Sequence, residues 1–201
     1  MPKPLLSARY RVVVRDAQGR IMRIEEAPSK SFILNFLYLW WLGLNVNTAD
    51  AISVVGTSGQ QTTMLLEQPQ AWYEPFSFSV VPYTGIQVGS GTSSPSASSP
   101  YLESLILSGT GSGQLSYGTS NMTSPSISSN PGTTIITNTF TNNSGGSVTV
   151  GEIGLASFTY NNNVSPPAYG AALIIHDVLS SAANVPNGGT ITITYTLQVN
   201  T

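Results

Sequence analysis

The sequence contains no cysteine, which excludes disulfide scaffolds, thiolate metal sites and cysteine nucleophiles. It has one histidine, His176, so no His/Cys cluster of the zinc-binding kind can form. Neither an Asp-rich calcium loop nor a P-loop or dinucleotide glycine fingerprint is present. Charged residues are only 8% of the 201 residues, against roughly 25% in an ordinary soluble domain. Lysine and arginine are missing altogether after residue 30, so most of the chain is a poor phosphate binder and offers trypsin-like proteases no site. Long apolar runs are also lacking. The longest, Phe32–Leu44, has thirteen residues interrupted by Asn35 and Gly43, short of the roughly 20 a membrane-spanning helix needs.

What charge there is divides sharply. Lys3, Arg9, Arg11, Arg15, Arg20, Arg23 and Lys30 lie with Asp16, Glu25 and Glu26 in the first thirty residues. The remainder carries only Asp50, Glu67, Glu74, Glu103, Glu152 and Asp177. A small basic foot and a large, nearly uncharged body are therefore expected, divided as residues 1–50 and 51–201. The body is rich in Ser, Thr, Asn and Gly, and stays soluble through hydroxyl and amide groups.

In the foot, Ala8–Asp16 reads as a strand with Arg9, Arg11, Val13 and Arg15 on one face and Tyr10, Val12 and Val14 on the other. Ala17-Gln18-Gly19 is a tight turn and Arg20–Glu25 the returning strand, giving a basic hairpin. Pro28–Ser31 supplies a turn and a helix cap, and Phe32–Leu44 is predicted as one short apolar helix. Being apolar nearly all round, that helix must be buried, in this subunit or against another. The basic residues, the apolar run and Ala49-Asp50-Ala51 also fit a signal peptide. An uncleaved structural helix is the preferred reading, because the basic stretch is long and has its own strand patterning.

The body reads as β structure throughout. Strands are predicted at Ile52–Val55, Thr62–Leu66, Phe76–Val81, Ile86–Val88, Leu102–Leu107, Thr133–Thr141, Ser147–Val150, Ile153–Tyr160, Ala171–Leu179 and Thr190–Val199. In the last, Ile191, Ile193, Tyr195, Leu197 and Val199 alternate with Thr192, Thr194, Thr196 and Gln198, one buried face and one hydroxyl-lined face. Asn142–Gly146 and Asn187-Gly188-Gly189 are turn signals. Many short strands and no helical period after residue 44 predict a mainly β chain, an antiparallel sandwich or jelly roll. Gly89–Pro100 and Ser108–Pro131 are loops by composition, either plain connections or a variable contact surface.

Catalytic chemistry is thin. His176 and Asp177 are strand neighbours pointing to opposite faces, badly placed for a base and its orienter, and no Gly-x-Ser-x-Gly elbow occurs. A packed or assembly-contact histidine is the expectation, with no catalytic residue, no metal and no cofactor. Glu67 and Glu74 flank Trp72 and Tyr73, which form a possible surface contact for sugars, though a packed corner beside Pro75 is the plainer reading. The basic residues suit an acidic protein surface through bidentate arginine pairing, and nucleic acid could meet only residues 1–30. Asn121, Asn142 and Asn163 head glycosylation sequons, as chance predicts in so Asn- and Ser/Thr-rich a chain.

The run Gly85–Ser96 with Tyr101–Ile106, the run Phe140–Leu155, and Asp177–Ser181 with Val185–Leu197 resemble segments of virion structural proteins of phages and related viruses. The resemblance covers residues 85–199 and transfers no active-site residue. It implies a non-enzymatic, β-rich component of a capsid, tail or appendage, located in the virion, with copies of itself and other virion proteins as partners and no membrane span. The expected assembly interface is Arg9, Arg11, Arg15, Arg20 and Arg23 with Phe32, Phe36, Tyr38, Trp40 and Trp41. Two alternatives remain open: a cellular extracellular filament or surface-layer subunit whose terminal strand completes a neighbour's sheet, and a carbohydrate-binding module.

Overall fold

The computed structural model describes residues 6–29, 31–33, 36–37, 51–55, 61–65, 84–123, 132–161 and 168–199. It is mainly β, with antiparallel sheets and almost no helix. The strands are β1 (Leu6–Arg15), β2 (Ile21–Pro28), β3 (Ala51–Val55), β4 (Gln61–Leu65), β5 (Gly85–Gly89), β6 (Ser116–Tyr117), β7 (Asn121–Met122), β8 (Gly132–Thr141), β9 (Val148–Asn161), β10 (Ala168–Val185) and β11 (Thr190–Val199). One sheet runs β2-β1-β11-β8-β6, with β7 also on β8; a second runs β10-β9-β5; β3 and β4 pair with each other.

Two compact units are formed. The first takes Met1–Lys30, Ile106–Val150 and Ser181–Thr201, and the second Ser31–Leu105 and Gly151–Ser180. The division expected at residue 50 is thus not the one adopted. Residues 6–28 are not an appended foot, because β1 is zipped to β11 from Leu6↔Val199 to Arg15↔Thr190. The reason is complementary patterning. Tyr10, Val12 and Val14 on β1 bury the same face as Ile191, Ile193 and Tyr195 on β11 and as Ile136 and Phe140 on β8. Burying that face is worth about 25 cal/mol per Å² of apolar area, far more than a free hairpin could gain alone.

The outer face of the same sheet follows the hydroxyl pattern. Thr137 and Thr194 lie 3.1 Å apart through their Oγ1 atoms, and Thr139 and Thr192 2.9 Å. Val13 departs from its basic neighbours. It shares their face yet is 5% exposed, since Ile24 and Thr192 flank it across the two ladders.

The hairpin closes at Gly19, whose φ of 79° needs the left-handed region. Asp16 fixes the turn, its Oδ1 accepting from the Gln18 and Arg20 N–H groups at 3.0 and 2.9 Å. The turns after β8 and before β11 interlock: the Asn142 side chain donates to the carbonyls of Gly146 and Val185 at 2.8 and 2.7 Å, and Gly145 N–H donates to Asn187 Oδ1 at 2.9 Å. Asn142 is fully buried in that role, which removes it as a glycosylation acceptor.

Five predicted elements differ. The helix expected from Phe32 does not begin there: Phe32 bridges Ile175 on β10, and Ile33 N–H donates to Ile174 O at 3.1 Å. An extended segment gains these ladder bonds, and only Phe36 and Leu37 of the described run are helical. Leu102–Leu107 is not a strand, because it touches β5 only through the Gly89↔Leu105 bridge and otherwise forms turns. The pairs Ser147–Val150 with Ile153–Tyr160, and Ala171–Leu179 with the residues beyond it, are each parts of one long strand, β9 and β10. Strand Phe76–Val81 lies outside the described residues.

Ile193 has no exposed surface and Thr192 lies on the outer face. Ile193→Ala is expected to cost about 2–5 kcal/mol through transfer loss and cavity formation, whereas Thr192→Ala costs under about 1 kcal/mol. Urea denaturation of both variants checks the ordering.

Candidate functional site: a buried carboxylate under a serine loop

Within the second unit, Glu152 on β9 is completely buried. A carboxylate has about four acceptor positions, and here four donors use them. Oε1 accepts from the N–H of Gly91 at 3.1 Å and of Ser104 at 2.7 Å. Oε2 accepts from the N–H of Glu103 at 2.9 Å and from His176 Nε2 at 2.7 Å. One side chain thereby fastens both ends of the loop 90–104 to β9 and, through His176, to β10.

The sequence around it is shaped to the carboxylate. A Cβ on Gly89 would overlap Glu152 Oε1 and come within 2.7 Å of Ser104 O. One on Gly91 would lie 2.6 Å from Glu152 Oε1 and from Glu103 Oε2, and one on Gly151 would strike Gly91 O. The three glycines are spaces that the loop and the carboxylate fill.

Burial pushes the Glu152 carboxyl up, but the His176 hydrogen bond and the Ser104 and Glu103 N–H groups outweigh it, so its pKa is held below the usual carboxylate range. His176 Nδ1 is buried and finds no hydrogen-bond partner among the described residues. With the proton on Nε2 and donated to Glu152, Nδ1 is a bare lone pair, which costs less to bury than an orphan N–H. A second carboxylate, Glu103, braces the loop from its exposed side. Its Oε2 accepts from Thr92 and Ser93 N–H at 2.9 Å each, and Oε1 from Ser93 Oγ at 2.7 Å. The Ser93 bonds are the main reason that its pKa too is lowered. Further out, Ser99 Oγ accepts from Ser96 N–H at 3.0 Å.

This arrangement holds a shape. A carboxylate with every lone pair engaged is a poor general base, and the described residues contain no group of three or more potential metal ligands. The expected packed histidine is therefore accompanied by a partner, Glu152, that sequence reasoning passed over. Asp177, its chain neighbour, is also buried. The available signal was the pair of glycine-flanked stretches, Gly89-Ser90-Gly91 and Gly151-Glu152, whose glycines make room for a carboxylate.

The basic residues are brought together on the hairpin, mostly in pairs. Arg11 Nε meets Glu26 at 2.7 Å, Arg20 Nε meets Asp16 at 2.6 Å, and Arg23 bonds Glu25 together with the carbonyls of Ser181 and Ala182. Arg15 donates to Gly19 O at 2.9 Å. Arg9 is exposed and makes no ion pair among the described residues. Beside them Ile21, Met22 and Ile24 are exposed by 50%, 60% and 50%, an apolar patch on an edge strand. Phe32 and Phe36 stack with centroids 4.7 Å apart. Tyr38, Trp40, Trp41, Trp72 and Tyr73 lie outside the described residues. No described helix is long and apolar enough to cross a membrane.

Comparison of the chain with family models, curated proteins and solved structures gives no match.

Glu152→Ala strips four donors, two of them in buried bonds, of their acceptor and is expected to cost about 3–5 kcal/mol. Gly89→Ala costs about 1–3 kcal/mol by overpacking. Because the added methyl meets the Glu152 side chain, the double variant should be less destabilised than the sum of the two, which a double-mutant denaturation cycle measures.

Proposed function

We propose that the chain is a non-enzymatic structural protein of a virion, a capsid, tail or appendage component present in many copies, and that its sheets close as a sandwich or jelly roll. The observation that carries this reading is the composition of the β1–β2 hairpin. It holds all five described arginines and an exposed patch of Ile21, Met22 and Ile24 on an otherwise almost uncharged, hydroxyl-rich chain. Exposed apolar area beside fixed cations is what a subunit contact uses, the former for affinity and the latter for register.

Pairing of Arg11, Arg20 and Arg23 with acids on the same hairpin leaves Arg9 and Arg15 as the described cations not already matched by a carboxylate. The first thirty residues keep a net charge of about +4, carried on a patterned segment with three acids, which suits a protein neighbour, another copy or another virion protein, better than a polyanion such as nucleic acid. The aromatic run through Tyr38, Trp40 and Trp41 supplies further apolar anchoring area.

The filament alternative required the terminal strand to complete a neighbour's sheet. β11 is paired on both edges within the chain, by β1 and by β8, so this pairing lends that alternative no support. The carbohydrate alternative through Trp72 and Tyr73 gains no support from the described residues.

Electron microscopy of the native source material tests the reading directly, since cellular filaments or the absence of particles would overturn it. On recombinant protein, Met22→Ser combined with Arg9→Ala is expected to change stability by no more than about 0.5 kcal/mol while lowering incorporation into particles severalfold. Unchanged incorporation would refute the assigned contact.

A further inference from the structure

We propose that Glu152 and His176 form an acid-sensitive latch which, on taking up a proton, releases the exposed loop 90–104 while the remaining sheets stay folded. The proposal rests on the site's geometry and is independent of the virion reading.

Protonation changes the hydrogen-bonding character of the carboxyl group from acceptor-only to donor plus acceptor. Each Glu152 oxygen already faces two donors, Gly91 and Ser104 on Oε1, Glu103 and His176 on Oε2. An added O–H therefore points at one of those donors, and at least one bond must break.

The charged groups around the pair offer no relief. From the loop, Glu103 is occupied by Thr92 and Ser93; from β10, Asp177 follows His176 and is buried. Neither lysine nor arginine occurs anywhere between Ser31 and Thr201 to offset a change in charge.

The release is local because the loop's remaining ties are few. Besides the three N–H groups held by Glu152, it is joined to the fold by the buried Leu102 side chain, which packs with Ile33, Ala156, Ala171 and Leu173, and by the Gly89↔Leu105 bridge, and its two ends meet in the Ser90 N–H to Ser104 O bond of 2.8 Å. Most of its side chains are exposed. The β1–β11 ladder, by contrast, contains no member of the latch.

The sign follows from linkage. The carboxyl is held below its ordinary value when the loop is closed and returns to that value when open, so the open state binds protons more tightly. Closure is complete above the ordinary carboxylate range. It weakens by about tenfold per pH unit as pH falls from that range towards the depressed value.

Amide hydrogen exchange of the full chain, corrected for intrinsic rates and followed from neutral pH to about pH 3, reads the latch. The amides of Gly91, Glu103 and Ser104 should lose protection by at least about tenfold while those of β11 keep theirs. Glu152→Gln should show the open loop already at neutral pH, whereas Glu103→Gln should keep the acid transition. Loss of protection in the loop and in β11 at the same pH would overturn the proposal. So would an acid-insensitive loop in the unmodified protein, a measurement that needs no variant to fold.

Discussion

The ladder between β1 and β11 is the interaction on which the first unit depends. It brings the two ends of the described chain side by side, and it places β1 in the interior of the sheet with β2 as the edge. Both edges of β11 are thereby occupied, and the hydrophobic face shared by β1, β11 and β8 becomes continuous. Removing β1 would expose that face as well as unpair the strand. The basic residues are held on a rigid sheet as a consequence, with Arg9, Arg11 and Arg15 spaced along one strand and directed away from the core. Of these three Arg11 alone is ion-paired among the described residues, to Glu26, and that half-exposed pair contributes at most about 1 kcal/mol. Their importance lies in position.

A chain with so few charges deals with its buried ones individually. Glu152 is satisfied by four donors, three of them backbone N–H groups that a loop must otherwise leave to water. An irregular segment rich in serine and glycine has little apolar area with which to order itself. Here a buried carboxylate supplies the order that packing cannot, and Glu103 adds to it from the surface side. The loop is presented in a defined shape by groups whose protonation state controls it, which joins the energetics of the site to its dynamics.

These two devices divide the labour of the proposed role. The hairpin offers apolar area and oriented cations at an edge, where a neighbouring subunit can dock without competing with the core. The hydroxyl faces of β8 and β11 and the serine loop present neutral polar surface, with threonine pairs satisfying one another across strands. Such a surface is wetted by hydroxyl groups and carries little net field, so in the proposed role attraction between copies falls to the hairpin.

Periodicity alone determined a good deal. Strict alternation in Thr190–Val199 gave β11 its bounds and, through Ile191, Ile193 and Tyr195, its buried face, although Leu197 is half-buried and Val199 exposed; the Arg/Val alternation of residues 9–15 gave β1, and Asn-Gly and Gln-Gly signals marked the turns, because a strand's two faces and a turn's left-handed residue are local requirements. Leu102–Leu107 and the start of the apolar run at Phe32 and Ile33 misled for a matching reason: apolar content without a clear period does not say whether a segment packs as strand, helix or turn. That β1 would join β11 rather than stand apart, and that Glu152 would meet His176 and three loop amides, was decided by tertiary structure. Those partners are 24 to 61 residues away from the carboxylate along the chain, and nothing local in the sequence encodes which distant donor a buried charge will find.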